Sequence, residues 1–192
     1  GREAAFRLAE LRRTSLGDAA GALRIYEQIL AADPSHAGVR AALEAWVRAG
    51  GPGSLEAMKL LDPVLERGGD HARRVALREA RLVGAPAEER AALRAEILRI
   101  HEVDMARPEL AFLDACQAFR DGVDPEGAAA ELERLAREAN AFEELAEVYE
   151  AAAESSQPGD EAGLRALRRA AQLRAQLGEV DRAVALWNDL LR

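Results

Sequence analysis

In the stretch LGDAAGALRIYEQILAADP, Leu16 to Pro34, apolar side chains return at helical spacing, Ala22, Tyr26 and Leu30, between a glycine and a proline. The same three-to-four-residue period runs through most of the chain, and breakers cut it into short pieces. Spacing and breakers together predict helices at 2–15, 18–32, 36–49, 54–68, 70–83, 86–102, 107–120, 125–139, 141–155, 160–177 and 179–192. Gly17 and Gly178 stand where one helix ends and the next begins, and Asp124 before Pro125 offers an N-cap and a first-turn proline. The stretches AGGPGS (49–54) and SSQPGDE (155–161) read as turns. Pro63, within KLLDPVLE, is expected to kink or restart the fourth helix, because proline removes an amide donor and crowds the preceding turn.

Composition narrows the fold class to all-α. Of 192 residues 49% are hydrophobic, chiefly Ala and Leu, with only 4% aromatic, which suits closely packed helices. Thr14 is the only threonine and no run alternates apolar and polar residues, so no β structure is expected. The chain opens in helix-like GREAAFRLAEL and closes in WNDLLR, which suggests a fragment of a larger protein, and a cytoplasmic setting is the expectation.

The opening stretch recurs. It aligns without a gap on LGEVDRAVALWNDLLR at an offset of 161, with Gly17 over Gly178, Ala22 over Ala183, Tyr26 over Trp187 and Leu30 over Leu191. A weaker copy, ARPELAFLDACQAF, lies at an offset of 89 and puts Ala111 over Ala22 but Ala115 over Tyr26, so Phe112 or Phe119 must supply the missing ring volume. LDPVLERGGDHARRVAL also lies over LERLAREANAFEELAEV at an offset of 71, about one helix and a turn less than 89, so the first module carries an extra helix. The chain therefore reads as one continuous stack over 1–192, with modules at 2–84, 85–158 and 159–192.

A glycine, an alanine five residues on, an aromatic four later and a closing Asp-Pro, preceded by Phe6 in the previous helix, resemble the tetratricopeptide repeat. The chain departs from that pattern at Glu10, where the family keeps a small residue. The resemblance implies an α-α superhelix of about 11 helices in antiparallel pairs, with a concave groove that receives a peptide or a partner helix. Its groove positions carry over to Arg7 and Leu11, Glu96 and Ile100, and Arg168 and Gln172. Chaperone-binding members clamp a C-terminal carboxylate with Lys and Asn; Lys59, Asn140 and Asn188 do not fall at those positions, so that ligand is not expected.

Little in the chain points to catalysis or to a cofactor. His36, His71 and His101 lie far apart; HEVD (101–104) holds at most half a metal site and reads better as a solvated helix end, while His71, aligned with Phe142, reads as a packing residue. Cys116 shares a helical stripe with Phe112 and Phe119, as a buried, inert thiol would. GGPGS lacks the lysine and the preceding strand of a phosphate loop, and DGVD (121–124) is explained by capping. No metal and no cofactor is expected.

Charge is more informative. Residues 1–84 carry 13 basic and 11 acidic side chains, the remainder 13 and 23, together giving the net −8. Glu143, Glu147 and Glu150 align on one helix face, where a basic peptide could dock, although a solvated surface is the plainer reading. An acidic chain without a basic groove is not expected to bind nucleic acid, and no helix joins a basic face to a bulky aromatic one, as insertion into a membrane surface would need. The function expected is thus a non-catalytic scaffold that binds a protein or peptide. A regulatory or sensor domain of a signalling protein, or an all-α enzyme with a site between helices, are the alternatives.

Overall fold

The computed structural model describes residues 1–120, 125–157 and 160–191. They form eleven α-helices and no strand: α1 (Arg2–Thr14), α2 (Ala19–Ala32), α3 (Ala37–Ala49), α4 (Ser54–Arg67), α5 (His71–Leu82), α6 (Ala87–Arg99), α7 (Pro108–Arg120), α8 (Pro125–Ala139), α9 (Phe142–Ser155), α10 (Glu161–Gln176) and α11 (Val180–Leu190). Each begins within two residues of its expected start, because caps and breakers act locally. Asp18 accepts the Gly21 amide at 2.9 Å, and the His36 ring nitrogen accepts that of Val39 at 3.2 Å. The proposed cap Asp124 lies outside the described residues. No helix is long and apolar enough to cross a membrane, among the described residues.

Two local expectations change: the restart at Pro63 and the solvated end at HEVD. α4 runs unbroken through Pro63. That proline is exposed, and the carbonyl it leaves without an amide partner belongs to exposed Lys59, at a surface position where solvent is within reach. At the other site, α6 passes into a π-helical turn, Ile100–Asp104, where His101 is not solvated. It is half-buried, with Nδ1 2.6 Å from a carboxylate oxygen of Asp114 on α7, and burial raises the Asp114 carboxyl above its ordinary range although His101 draws it back.

The chain forms two compact units, Gly1–Leu93 and Arg94–Arg192. The division falls within α6, whereas the expected module boundary at 84/85 falls in the turn before it. The first unit has a core of Tyr26, Leu30, Val39, Leu43, Leu61 and Leu65. The GGPGS stretch is a turn packed on an indole: Trp46 Nε1 donates to the Pro52 carbonyl at 3.0 Å, and a Cβ on Gly53 would come within 2.6 Å of that ring. The second unit buries Phe112, Leu132, Leu135, Leu145 and Tyr149.

A single hairpin plan recurs. Gly17, Gly69, Ala106, Asn140 and Gly178 all hold a positive φ between two helices. After Gly69, Asn140 and Gly178 the next amide bonds back to Leu65, Ala136 and Arg174, closing the helix in the manner of a Schellman turn. After Gly17 and Ala106 it reaches one residue further, to Arg12 and His101, so the weak copy at offset 89 shares the backbone of the first. Seven residues before the turn stands Glu10, Asp62 or Glu133, and nine after it Tyr26, Arg78 or Tyr149, each donating to its acid across sixteen residues. In the last hairpin these places hold Ala171 and Trp187. There the expected equivalence breaks: Ala22 and Ala183 are both buried, but Tyr26 is fully buried and Trp187 is 37% exposed. Alanine replaces the acid at that place, and α11 packs chiefly on α10.

In four of the five hairpins, the Ala106 one excepted, side-chain volume five residues after the turn goes with how near the paired helices lie. Where it is Ala22 or Ala183, α1 and α2, or α10 and α11, run close together along their length. Where it is Arg74 or Leu145, α4 and α5, or α8 and α9, approach at fewer points. The wider spacing of α8 and α9 makes the candidate site.

Candidate functional site

In the second unit a cleft of about 240 Å³ opens between α8, α9 and α10. Glu133 and Arg137, one turn apart on α8, form one wall. Phe142, Leu145 and Tyr149 on α9 and Leu173 on α10 supply the apolar surface. Arg169, Gln172 and Gln176 complete the α10 side. Helical periodicity brings these residues to one place, since 133 and 137, 142, 145 and 149, and 169, 172, 173 and 176 each follow the three-to-four spacing of one face.

One end of the cleft is tied internally. Tyr149 donates to Glu133 at 2.9 Å, Arg169 donates to the Tyr149 oxygen at 3.4 Å and its guanidinium lies 5.6 Å from that ring's centre, while Phe119 meets the ring edge-on at 5.5 Å. Burial, and after it the Glu133 charge, push the phenol well above its ordinary range, so Tyr149 remains a neutral donor. The other end is not tied. Arg137 is exposed and makes no ion pair among the described residues. In the first unit, a wide hollow between α2 and α4 sets Arg24 and Lys59 against Glu27 and Glu56, a balanced rim that favours neither sign of charge.

Of the six groove positions, Gln172 lines this cleft, and Arg168, exposed on the same helix, does not. Arg7 and Leu11 are exposed on α1, Arg7 being held by Glu3 at 3.1 Å, and Glu96 is exposed on α6. Ile100 is a correction: fully buried at the π turn, it can meet no partner. The acidic patch also shrinks. Glu143 and Glu147 are exposed, but Glu150 is taken by Arg174 at 2.7 Å and Arg182 at 2.5 Å. Burial raises its carboxyl, yet the two guanidiniums outweigh burial and hold it below its usual range. Spacing along single helices did not single out Glu133, Arg137, Tyr149 or Arg169; the sixteen-residue interval from acid to tyrosine across a glycine or asparagine was the signal for two of them.

Burial lifts the Cys116 thiol to about 11, leaving almost no thiolate at neutral pH. No group of three His, Cys, Asp or Glu is placed to hold a metal, among the described residues. No family model matches the chain, and no curated protein matches it closely enough to count as a relative.

Proposed function

We propose that this chain is a non-catalytic interaction region that holds a protein segment, a peptide or a partner helix, against the α8–α10 cleft. The observation that carries the reading is the cleft's make-up: an apolar floor of Phe142 and Leu173, edged by amide and guanidinium donors, with no activated nucleophile among them. The positive-φ turn common to the hairpins, and the small residue and ring that the first and last of them share, support a tetratricopeptide-like architecture stacked as a superhelix. The net charge of −8 argues against nucleic acid as the partner.

Selection of a random peptide library on the folded chain tests this. Peptides retained by the wild type should be lost when Leu173→Asp puts a charge on the cleft floor, with the helical circular dichroism unchanged. A library that yields no peptide, or only peptides indifferent to Leu173→Asp, would overturn the assignment.

A further inference from the structure

The two open hairpins answer the same spatial problem with opposite chemistry. At an offset of 71, Asp62, Glu66, Arg74 and Arg78 of α4–α5 correspond to Glu133, Arg137, Leu145 and Tyr149 of α8–α9. In α4–α5 the gap is filled from within. Arg74, only 1% exposed, donates to Asp62 at 3.0 Å and lies 3.3 Å from a Glu66 oxygen, so cation and anions satisfy one another. In α8–α9 the acid Glu133 is satisfied too, by Tyr149 and by Arg169 at 3.6 Å. The residue in place of Glu66 is instead a cation, Arg137, and the residue in place of Arg74 is Leu145, which brings no charge. Arg137 thus stands beside an apolar floor with no internal anion among the described residues, in a chain that is otherwise rich in carboxylates.

Resting on the interaction reading above, we infer that the α8–α10 cleft takes a peptide segment presenting a carboxylate beside a bulky apolar side chain. The carboxylate seats on Arg137, whose planar fork suits bidentate pairing, and the apolar side chain lies on Phe142 and Leu173. Gln172 and Gln176 border the cleft and offer amide groups to the peptide backbone. A basic segment is disfavoured here, because Arg137 and Arg169 outnumber Glu133, which is already engaged.

The test compares three fluorescein-labelled synthetic peptides, alternating Glu-Leu, Lys-Leu and Glu-Ser, by fluorescence anisotropy on the whole chain. The Glu-Leu peptide should bind tightest, and more weakly as salt is raised. Arg137→Gln should weaken it by about fivefold, the scale of one exposed ion pair, and Arg137→Glu by more. Arg168→Glu, an equal or larger charge change on α10 outside the cleft, should weaken it less than Arg137→Gln. Because Arg137 is exposed, its variants should keep the wild-type circular dichroism and thermal midpoint. Equal effects of the Arg137 and Arg168 changes would overturn the inference. So would tighter binding of Lys-Leu; if that binding were lost in Leu173→Asp, the cleft would still be a docking site and only its preference for an acid would fall. If none of the three peptides bound, the inference would fail, while the interaction reading would be judged by the library selection alone.

Discussion

Tyr149 donates to Glu133, sixteen residues earlier across a turn, at 2.9 Å, and Tyr26 makes the same bond to Glu10 in the other unit. In both hairpins a fully buried phenol brings its one polar atom out to a carboxylate at the edge of the core. The bond satisfies a group that burial would otherwise strand, and it locks the register of the two helices. Tyr149→Phe keeps the ring and removes only that donor. It should cost about 1.5–3 kcal/mol, the range for a hydrogen bond to a charged group. In a double-mutant cycle with Glu133→Gln, measured by urea unfolding, the two changes should be less than additive; full additivity would mean that the contact carries no energy.

Backbone strain gives a prediction of the opposite sign. Ala106 (φ 50°) and Asn140 (φ 53°) stand where the other hairpins use glycine. A side chain in the left-handed region is crowded by its own carbonyl, and alanine has no polar group with which to compensate. Ala106→Gly should therefore stabilise the protein by about 0.5–1 kcal/mol. Gly69→Ala, where a Cβ would meet nothing within 4 Å, should destabilise it by a similar amount through φ alone. Thermal and urea midpoints check both, and a destabilised Ala106→Gly would show that the turn is held by contacts rather than by local conformation.

The buried Asp62 cluster fixes an acid dependence. Burial alone would raise this carboxyl, but hydrogen bonds and charge from Arg78 and Arg74 outweigh it and hold it at about 2, against an ordinary 3.8. A lowered folded value means that stabilisation is fully present above about pH 4 and is lost as pH falls through 4 towards 2. Asp62→Asn leaves two buried guanidiniums short of their anion and should cost about 3 kcal/mol at pH 7. The difference between wild type and variant, from urea titrations at successive pH values, should shrink across that acid window. A difference that stayed constant down to pH 2 would refute the linkage.

Much of the helical layout was legible because its causes are local. Glycine and proline, the caps of Asp18 and His36 and the apolar stripes act within a few residues, so boundaries read from them match the fold closely. Pro63 misled because its cost depends on whether solvent can take the freed carbonyl, which spacing does not encode. Ile100 and Glu150 misled for a related reason. Each stands at a position of one helix that a partner helix could expose or cover, and in the fold Ile100 is enclosed while Arg174 and Arg182 reach Glu150 from α10 and α11.

The sequence by itself determined the all-helical class, the places of the helices and the recurrence of turn, small residue and ring, since each follows from conformational preferences spanning less than one hairpin. Only the tertiary structure decided that Tyr26 is enclosed while Trp187 keeps a face to solvent, that Arg74 fills one open hairpin, and that the matching one retains a cleft beside Arg137. Those outcomes depend on which side chains from distant helices meet, and on whether charge and volume balance where they do. Periodicity along a single helix carries no record of either.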